Sequence, residues 1–392
     1  MRSALQIYDP RERRLVALAD VALTPFGWFA RRASAGTVQR ILLLRLERIG
    51  DLLMALDAIR DAREAWPDAE IDLAVGHWNQ SLAALIPGVS HVDVADAPWL
   101  VRAGESRQGW SALLAQARRW RRRRYDLVIN FEPDIRSNLI AWLTGAPRRV
   151  GYSSGGGGTL LTDARPYVSD AHVSVNARAA VSRAAGQPTA VDHPHGGPKL
   201  VPPADDVGRA RTLLGTSPRP WIGIHASGGR ESKQWHLDRF AAVGRTLARD
   251  RGATIVLTGS TADRPLIDRV RTALADASVV DAGGAMGLTT LAALVGELDL
   301  LITGDTGPMH LAAAMHTPVV ALFGPSNPAR YGPRASVEQI LRIDLPCSPC
   351  GQVRLPPERC RGHVPDCLDG ISVDTVVAAA LDVLDRSAGQ RL

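Results

Sequence analysis

No stretch of this 392-residue chain approaches the roughly eighteen uninterrupted apolar residues of a membrane-spanning helix. The start, Met1 to Arg14, is charged and lacks an apolar core followed by a cleavage site, so no secretory leader is expected there. Neither sign of charge is in large excess. A formal net charge of +6 is too modest for a nucleic-acid-binding signature, although it suits an anionic substrate or membrane surface. Cysteine is scarce and unevenly placed: all four residues fall between Cys347 and Cys367, unlike scattered buried thiols or a disulfide framework. These absences point to a cytoplasmic protein, with peripheral contact to the inner face of the membrane left open and no nucleic-acid partner.

What is present is the material for two cores. The length and the 45% apolar content are those of a soluble globular protein large enough for two domains. Residues 1–40 form a basic lead-in. Within it, Arg13 to Arg32 mixes Leu15, Val16, Leu18, Val21, Leu23, Phe26, Trp28 and Phe29 with arginines. That pattern reads either as a helix packed on the body, with a break permitted at Pro25, or as an interfacial membrane element. A strand-like run at Ile41 to Leu44 is followed by Gly50-Asp51 and a helical pattern in which Leu52, Leu53, Leu56 and Ile59 share a face. Further strands are expected at Ile71 to Val75, His91 to Val94 and Tyr125 to Asn130, with a helix over Leu113 to Arg124. Gly155 to Gly158 is expected to be a loop and a surface excursion. Proline, glycine and histidine thicken around Asp192 to Pro203, the best boundary between a domain at 41–203 and one at 204–392. The second then restarts the alternation, with strands at Trp221 to His225, Thr254 to Thr258, Leu298 to Thr303 and Val319 to Phe323. Strands alternating with helices imply mostly parallel sheets.

Two segments carry chemistry. Ser227-Gly228-Gly229-Arg230-Glu231-Ser232-Lys233 and Gly304-Asp305-Thr306-Gly307-Pro308-Met309-His310 each follow a strand and precede a helical pattern. That places both at carboxyl ends of strands, where α/β domains bind ligands. In the first, glycines admit backbone amides to phosphate oxygens, Ser227 and Ser232 offer hydroxyls, and Lys233 adds a cation. Its order is not that of a Walker loop. In the second, Thr306 and Gly307 open a helix whose amino end favours an anion, with Pro308 at the first helical position. Asp305 serves equally as a helix cap, and His310 as a packed polar residue.

These segments resemble glycosyltransferase family 9, the lipopolysaccharide heptosyltransferases. The resemblance starts at Ile41-Leu42-Leu43-Leu44-Arg45-Leu46-Glu47-Arg48-Ile49-Gly50-Asp51, passes through Ser227 to Trp235, and is strongest from Gly304 to Ala314, with Pro318 and Phe323-Gly324-Pro325 extending it. It implies a GT-B fold, two Rossmann-like domains facing a cleft, with 41–203 on the acceptor side and 204–392 binding the donor. It implies an inverting, metal-independent transfer of heptose from ADP-heptose to a glycan, lipopolysaccharide-core or other hydroxyl acceptor. Asp51 takes the role of catalytic base, Ser227, Gly228, Gly229, Ser232, Lys233, Thr306 and Gly307 hold donor phosphate, and Asp263, Asp305 and His310 face the sugar or ribose. Glu132, Asp134 and Arg136, after the Val128-Ile129 strand, are candidate acceptor contacts. The alternatives are another nucleotide-diphosphate sugar as donor, a sugar-nucleotide epimerase, and a nucleotide-sugar-binding protein without turnover.

Cys347, Cys350, Cys360 and Cys367 follow the spacing C-x2-C-x9-C-x6-C, which suits a closed tetrahedral structural site for zinc or iron. Free thiols and disulfides are the other readings. The region resembles the cysteine-bearing tail of some family members, including autotransporter heptosyltransferases with an iron-binding finger.

Overall fold

The computed structural model describes residues 5–7, 9–26, 36–100, 109–188, 197–284, 286–353 and 356–390. Trp28, Phe29, Arg31 and Arg32 of the expected amino-terminal element lie outside them, as do residues 192–196 of the proline-rich boundary. The chain divides into two compact units, Met1–Asp192 and His193–Leu392.

The first unit is built on a six-stranded sheet: β1 (Arg40–Leu44), β2 (Glu70–Val75), β3 (His91–Val94), β4 (Leu127–Asn130), β5 (Arg148–Tyr152) and β6 (Asp163–Arg165). The order is β3-β2-β1-β4-β5-β6 and every pairing is parallel. The second unit has β7 (Trp221–His225), β8 (Thr254–Leu257), β9 (Val279–Asp281), β10 (Leu300–Gly304), β11 (Val319–Leu322) and β12 (Glu338–Leu341). Its order, β12-β11-β10-β7-β8-β9, is again parallel throughout and repeats the winding of the first.

Parallel sheets are covered on both faces, so their central strands read as continuous apolar runs rather than as alternations. Ile41 to Leu44, Leu127 to Asn130 and Leu300 to Gly304 are buried residue after residue for that reason. In the second unit Ile222, Ile224, Ile255, Leu300 and Ile302 pack with Phe240 and Val243 of the helix Leu237–Arg251 and with Val376, Ala380 and Val383 of the helix Val373–Gln390. In each unit the chain turns back between the first and fourth strands in sequence, β1 and β4 or β7 and β10. Loops leaving those two carboxyl ends diverge to opposite faces of the sheet and leave a crevice, where doubly wound folds bind ligands. Asp51 follows β1, Glu132 follows β4, Lys233 follows β7 and Asp305 follows β10.

The amino-terminal lead-in contains a helix, Pro10–Leu23, capped by Asp9. Its seat is the glycine run, which is buried from Gly155 to Gly157 instead of forming a surface excursion. A Cβ on Gly156 would come within 2.4 Å of Val16, and a Cβ on Gly155 within 1.7 Å of the Pro133 carbonyl, so only glycines let these backbones approach. The Gly157 amide donates to the Asp20 carboxylate at 2.7 Å. Among the described residues, no helix is long and apolar enough to cross a membrane.

Candidate active site

In the first unit, the loop from Arg45 to Asp51 is held from several sides. The guanidinium of Arg45 is buried; Nε donates to the main-chain carbonyl of Asp51 at 2.9 Å, and NH2 lies 3.6 Å from its carboxylate. Arg45 NH1 also pairs with Glu47 at 2.9 Å. Burial opposes the charge on Arg45, but Glu47, Asp51 and Glu132 more than offset it and strengthen the guanidinium's hold on its proton. The Glu47 carbonyl accepts from Trp78 Nε1 and Asn79 Nδ2, each at 2.8 Å. Asp51 itself sits in the first turn of the helix Ile49–Leu53, its side chain about one-third accessible. The geometry is therefore a fixed carboxylate open to a ligand on a loop that cannot easily move.

Glu132 lies beneath that loop, with 2% of its surface exposed. Its Oε1 accepts the amides of Leu46 and of Glu47, the latter at 3.1 Å. Burial, with the Glu47 carboxylate next, pushes the Glu132 carboxyl well above the usual carboxylate range. Glu132→Gln should keep most of the activity, because its amide oxygen can accept the same two N–H groups. Glu132→Ala should lose much more, leaving the buried Leu46 amide unpaired at about 1–3 kcal/mol and freeing the part-buried Glu47 amide; steady-state rates of the two variants measure the difference. Asp134 caps the helix Ile135–Leu143, accepting from the Arg136 amide at 2.7 Å. The Arg136 side chain turns back onto Asp134, lies 3.5 Å from Glu12 and stacks over Trp99.

In the second unit, the two glycine-bearing loops meet. Lys233 Nζ lies 2.8 Å from Asp305 Oδ2, both largely buried. Only two lysines, Lys199 and Lys233, occur among 46 basic residues, so a lysine here is conspicuous against an otherwise arginine chain. Gly228 is dictated by close approach, since a Cβ there would sit 2.6 Å from the Lys233 carbonyl, and Gly229 has φ +65°. Gln234 staples the loop: Oε1 accepts the Gly228 amide at 2.8 Å, and Nε2 donates to the carbonyls of Ala226 and, at 2.9 Å, Trp235. Ser232 directs its hydroxyl to the Val353 carbonyl at 3.2 Å, away from the lysine.

Thr306 is the N-cap of the helix Gly307–Ala314, with Pro308 in its first turn. The leading amides of such a helix have no intrahelical acceptor and present partial positive charge. Thr306 Oγ1 lies 3.1 Å from Thr303 Oγ1, and His310 is buried in the same helix. Asp263 closes a capping box with Ser260, its carboxylate accepting the Ser260 amide at 2.8 Å. Burial works against charge on Asp263, but hydrogen bonds from Ser260 and Ser227 outweigh it and hold the carboxyl below its usual range.

His225, at the end of β7, is a buried titratable residue that pattern reasoning did not single out. It is buried, 3.2 Å from Thr258 Oγ1, and burial drives its pKa down to about 4, opposed by Asp263. An unfolded histidine titrates near 6.5. The unfolded chain therefore binds the proton first, and the stability held in neutral His225 is fully present above about 6.5 and lost as pH falls toward 4. That loss amounts to about 3 kcal/mol. His225→Gln should flatten this part of the pH profile in urea unfolding.

The four-cysteine metal site expected from spacing is not formed. Cys347 and Cys350 are exposed on a turn, whereas Cys367 is buried, its sulfur against Gly324. Proximity along the chain does not bring the four sulfurs to one point. Among the described residues, the one group of candidate ligands that converges is Glu70, Asp72 and His91. The two carboxylates are already engaged by cations, Arg123 lying 2.7 Å from Asp72 and Arg40 3.3 Å from Glu70, and His91 lies 3.1 Å from Glu70.

Residues 113–357 match the model of glycosyltransferase family 9 (heptosyltransferase). Lipooligosaccharide heptosyltransferase 2 of Haemophilus ducreyi is 27% identical over 319 residues, covering 78% of this chain and 88% of the relative. Among solved structures, a family 9 glycosyltransferase from Veillonella parvula superposes with a TM-score of 0.75 at 24% identity, covering 91% of this chain and 99% of that one. The Escherichia coli ADP-heptose lipopolysaccharide heptosyltransferase II gives a TM-score of 0.72 at 22% identity, covering 89% and 100%. The structural likenesses establish the fold, GT-B with two Rossmann-like units.

Proposed function

Since the chain belongs to glycosyltransferase family 9, we propose that it transfers a heptose from ADP-heptose to a sugar hydroxyl of a lipopolysaccharide core or related glycan, with inversion at the anomeric carbon. The observation that carries this reading is the Lys233–Asp305 pair, set beside the amino end of the helix Gly307–Ala314 at the second sheet's crossover point. Diphosphate needs positive charge and amide donors, and a donor sugar needs a carboxylate; all three stand together there.

The chemistry then divides between named groups. Asp51 accepts the proton of the acceptor hydroxyl as that oxygen bonds to the anomeric carbon. The bond from that carbon to the diphosphate oxygen breaks, and the electron pair leaves with ADP. Lys233 and the amides of Thr306 and Gly307 hold the charge that accumulates on the leaving group, the task otherwise given to a divalent cation. Asp305 orients the sugar and Asp263 the ribose.

We place the enzyme on the cytoplasmic side, peripheral to the membrane. Four cysteines without a disulfide suit a reducing compartment. Mass spectrometry of products after incubation with ADP-heptose and a panel of glycan acceptors tests the reading. A mass gain of one heptose is expected, and transfer only from a different sugar nucleotide would overturn the donor.

A further inference from the structure

Among the described residues, nothing covers one face of the amino-terminal helix Pro10–Leu23. Val16, Asp20 and Leu23 turn toward the body, and the opposite side carries Leu15, Leu18 and Val21, which are 67%, 69% and 50% exposed. At the start of that outer stripe stand Arg11 and Arg14, both exposed. The helix's two carboxylates are used elsewhere: Glu12 lies 3.5 Å from Arg136, and Asp20 accepts the Gly157 amide. The outer face is thus arginine and hydrocarbon, without a negative charge.

A second helix has the same character. Trp110–Arg123 contains no aspartate or glutamate. It buries Leu113, Gln116, Ala117 and Trp120 and exposes Trp110 (49%), Leu114 (40%) and then Arg118, Arg121 and Arg122. The first turns of the two helices are joined through two residues, Arg136 and Trp99. Arg136 contacts Glu12 of the first and stacks over Trp99, which packs on Trp110 of the second with ring centroids 5.3 Å apart.

We propose that these two helix faces form a docking surface for an anionic lipid bilayer, with Leu15, Leu18, Val21, Trp110 and Leu114 entering the interface and the arginines meeting lipid phosphates. The charge pattern selects that occupant. A helix with arginines flanking exposed leucine and tryptophan binds in the plane of an anionic interface, whereas two copies of this face would set arginine against arginine. The proposal rests on the peripheral placement given above and is independent of the transfer chemistry.

The test is vesicle flotation of the full chain without donor or acceptor, using phosphatidylcholine alone or with one-third phosphatidylglycerol. Binding should occur only to the anionic vesicles and weaken with salt. Leu15→Gln/Leu18→Gln/Val21→Gln should reduce partitioning at least tenfold, and Arg118→Gln/Arg121→Gln/Arg122→Gln by about a hundredfold at low salt. All six positions are exposed, so circular dichroism and ADP binding should match the parent and separate lost docking from lost folding. No binding by the parent chain overturns the placement and the surface together. Parent binding with equal binding by both variants overturns this surface and leaves the placement standing. Self-association that the leucine variant abolishes, with no vesicle binding, assigns the face to a second copy and overturns the proposal.

Discussion

Asp51→Asn should leave ADP-heptose binding intact and slow transfer by about 10²–10⁴-fold, the usual contribution of a positioned general base. The substitution keeps shape and removes the ability to take a proton, together with one of the three carboxylate charges that face Arg45. The surroundings make it a clean experiment, because the loop is fixed through its main chain. Arg45 grips the Asp51 carbonyl, Glu132 accepts two loop amides, and Trp78 and Asn79 hold the Glu47 carbonyl. An amide at position 51 disturbs none of those bonds. Product formation followed in parallel with calorimetric titration of the donor gives both quantities. Turnover equal to that of the parent would remove Asp51 as the base while leaving the donor site untouched.

Lys233→Met should cost about 10²–10³-fold in kcat/KM, comparable to deleting one preorganised donor to a developing negative charge. Two effects add here. The diphosphate loses its cation, and Asp305, which faces Lys233 at 2.8 Å, becomes an uncompensated carboxylate beside an anionic ligand. The second effect is separable: Lys233→Met/Asp305→Asn should bind ADP more tightly than Lys233→Met alone, because the repulsion is gone. Equal ADP affinity in the parent and Lys233→Met would show that the lysine does not touch phosphate.

Much of the fold could be read from residues because buried parallel strands announce themselves. Ile41 to Leu44, Leu300 to Ile302 and Val319 to Leu322 are apolar runs bounded by polar turns, and each is a strand. The strands left unread are peripheral in their sheets or begin with charge. β6 and β9 have three residues each, too few to display a period. β5 opens on Arg148-Arg149, yet Arg149 is buried, donating to the carbonyls of Leu160 and Ala146. No local pattern predicts that burial.

The two glycine-bearing loops of the second unit were legible for a similar reason: glycine, hydroxyl and lysine follow one another in short order at a strand's end. The contacts that brace the Arg45–Asp51 loop and the Gly228 turn were not. Glu132 reaches the Leu46 amide across 86 positions, and Arg45 gains its meaning only when Asp51 and Phe131 fold around it. Gln234 looks like any polar surface residue until its amide is seen to close the Gly228 turn. The cysteines err in the other direction. Their spacing resembles a metal site, but one thiol packs in the core while two face solvent.

An amine-seeking acylating reagent would find few targets on this molecule. Lys199 is exposed, whereas the side chain of Lys233 is only 18% accessible and paired with a carboxylate. The two therefore form a built-in reporter and its internal standard. Under the donor contact proposed for Lys233, shielding of the buried amine relative to the exposed one reads out occupancy without radiolabel or coupled assay, and makes screening for competing compounds a matter of weighing one peptide.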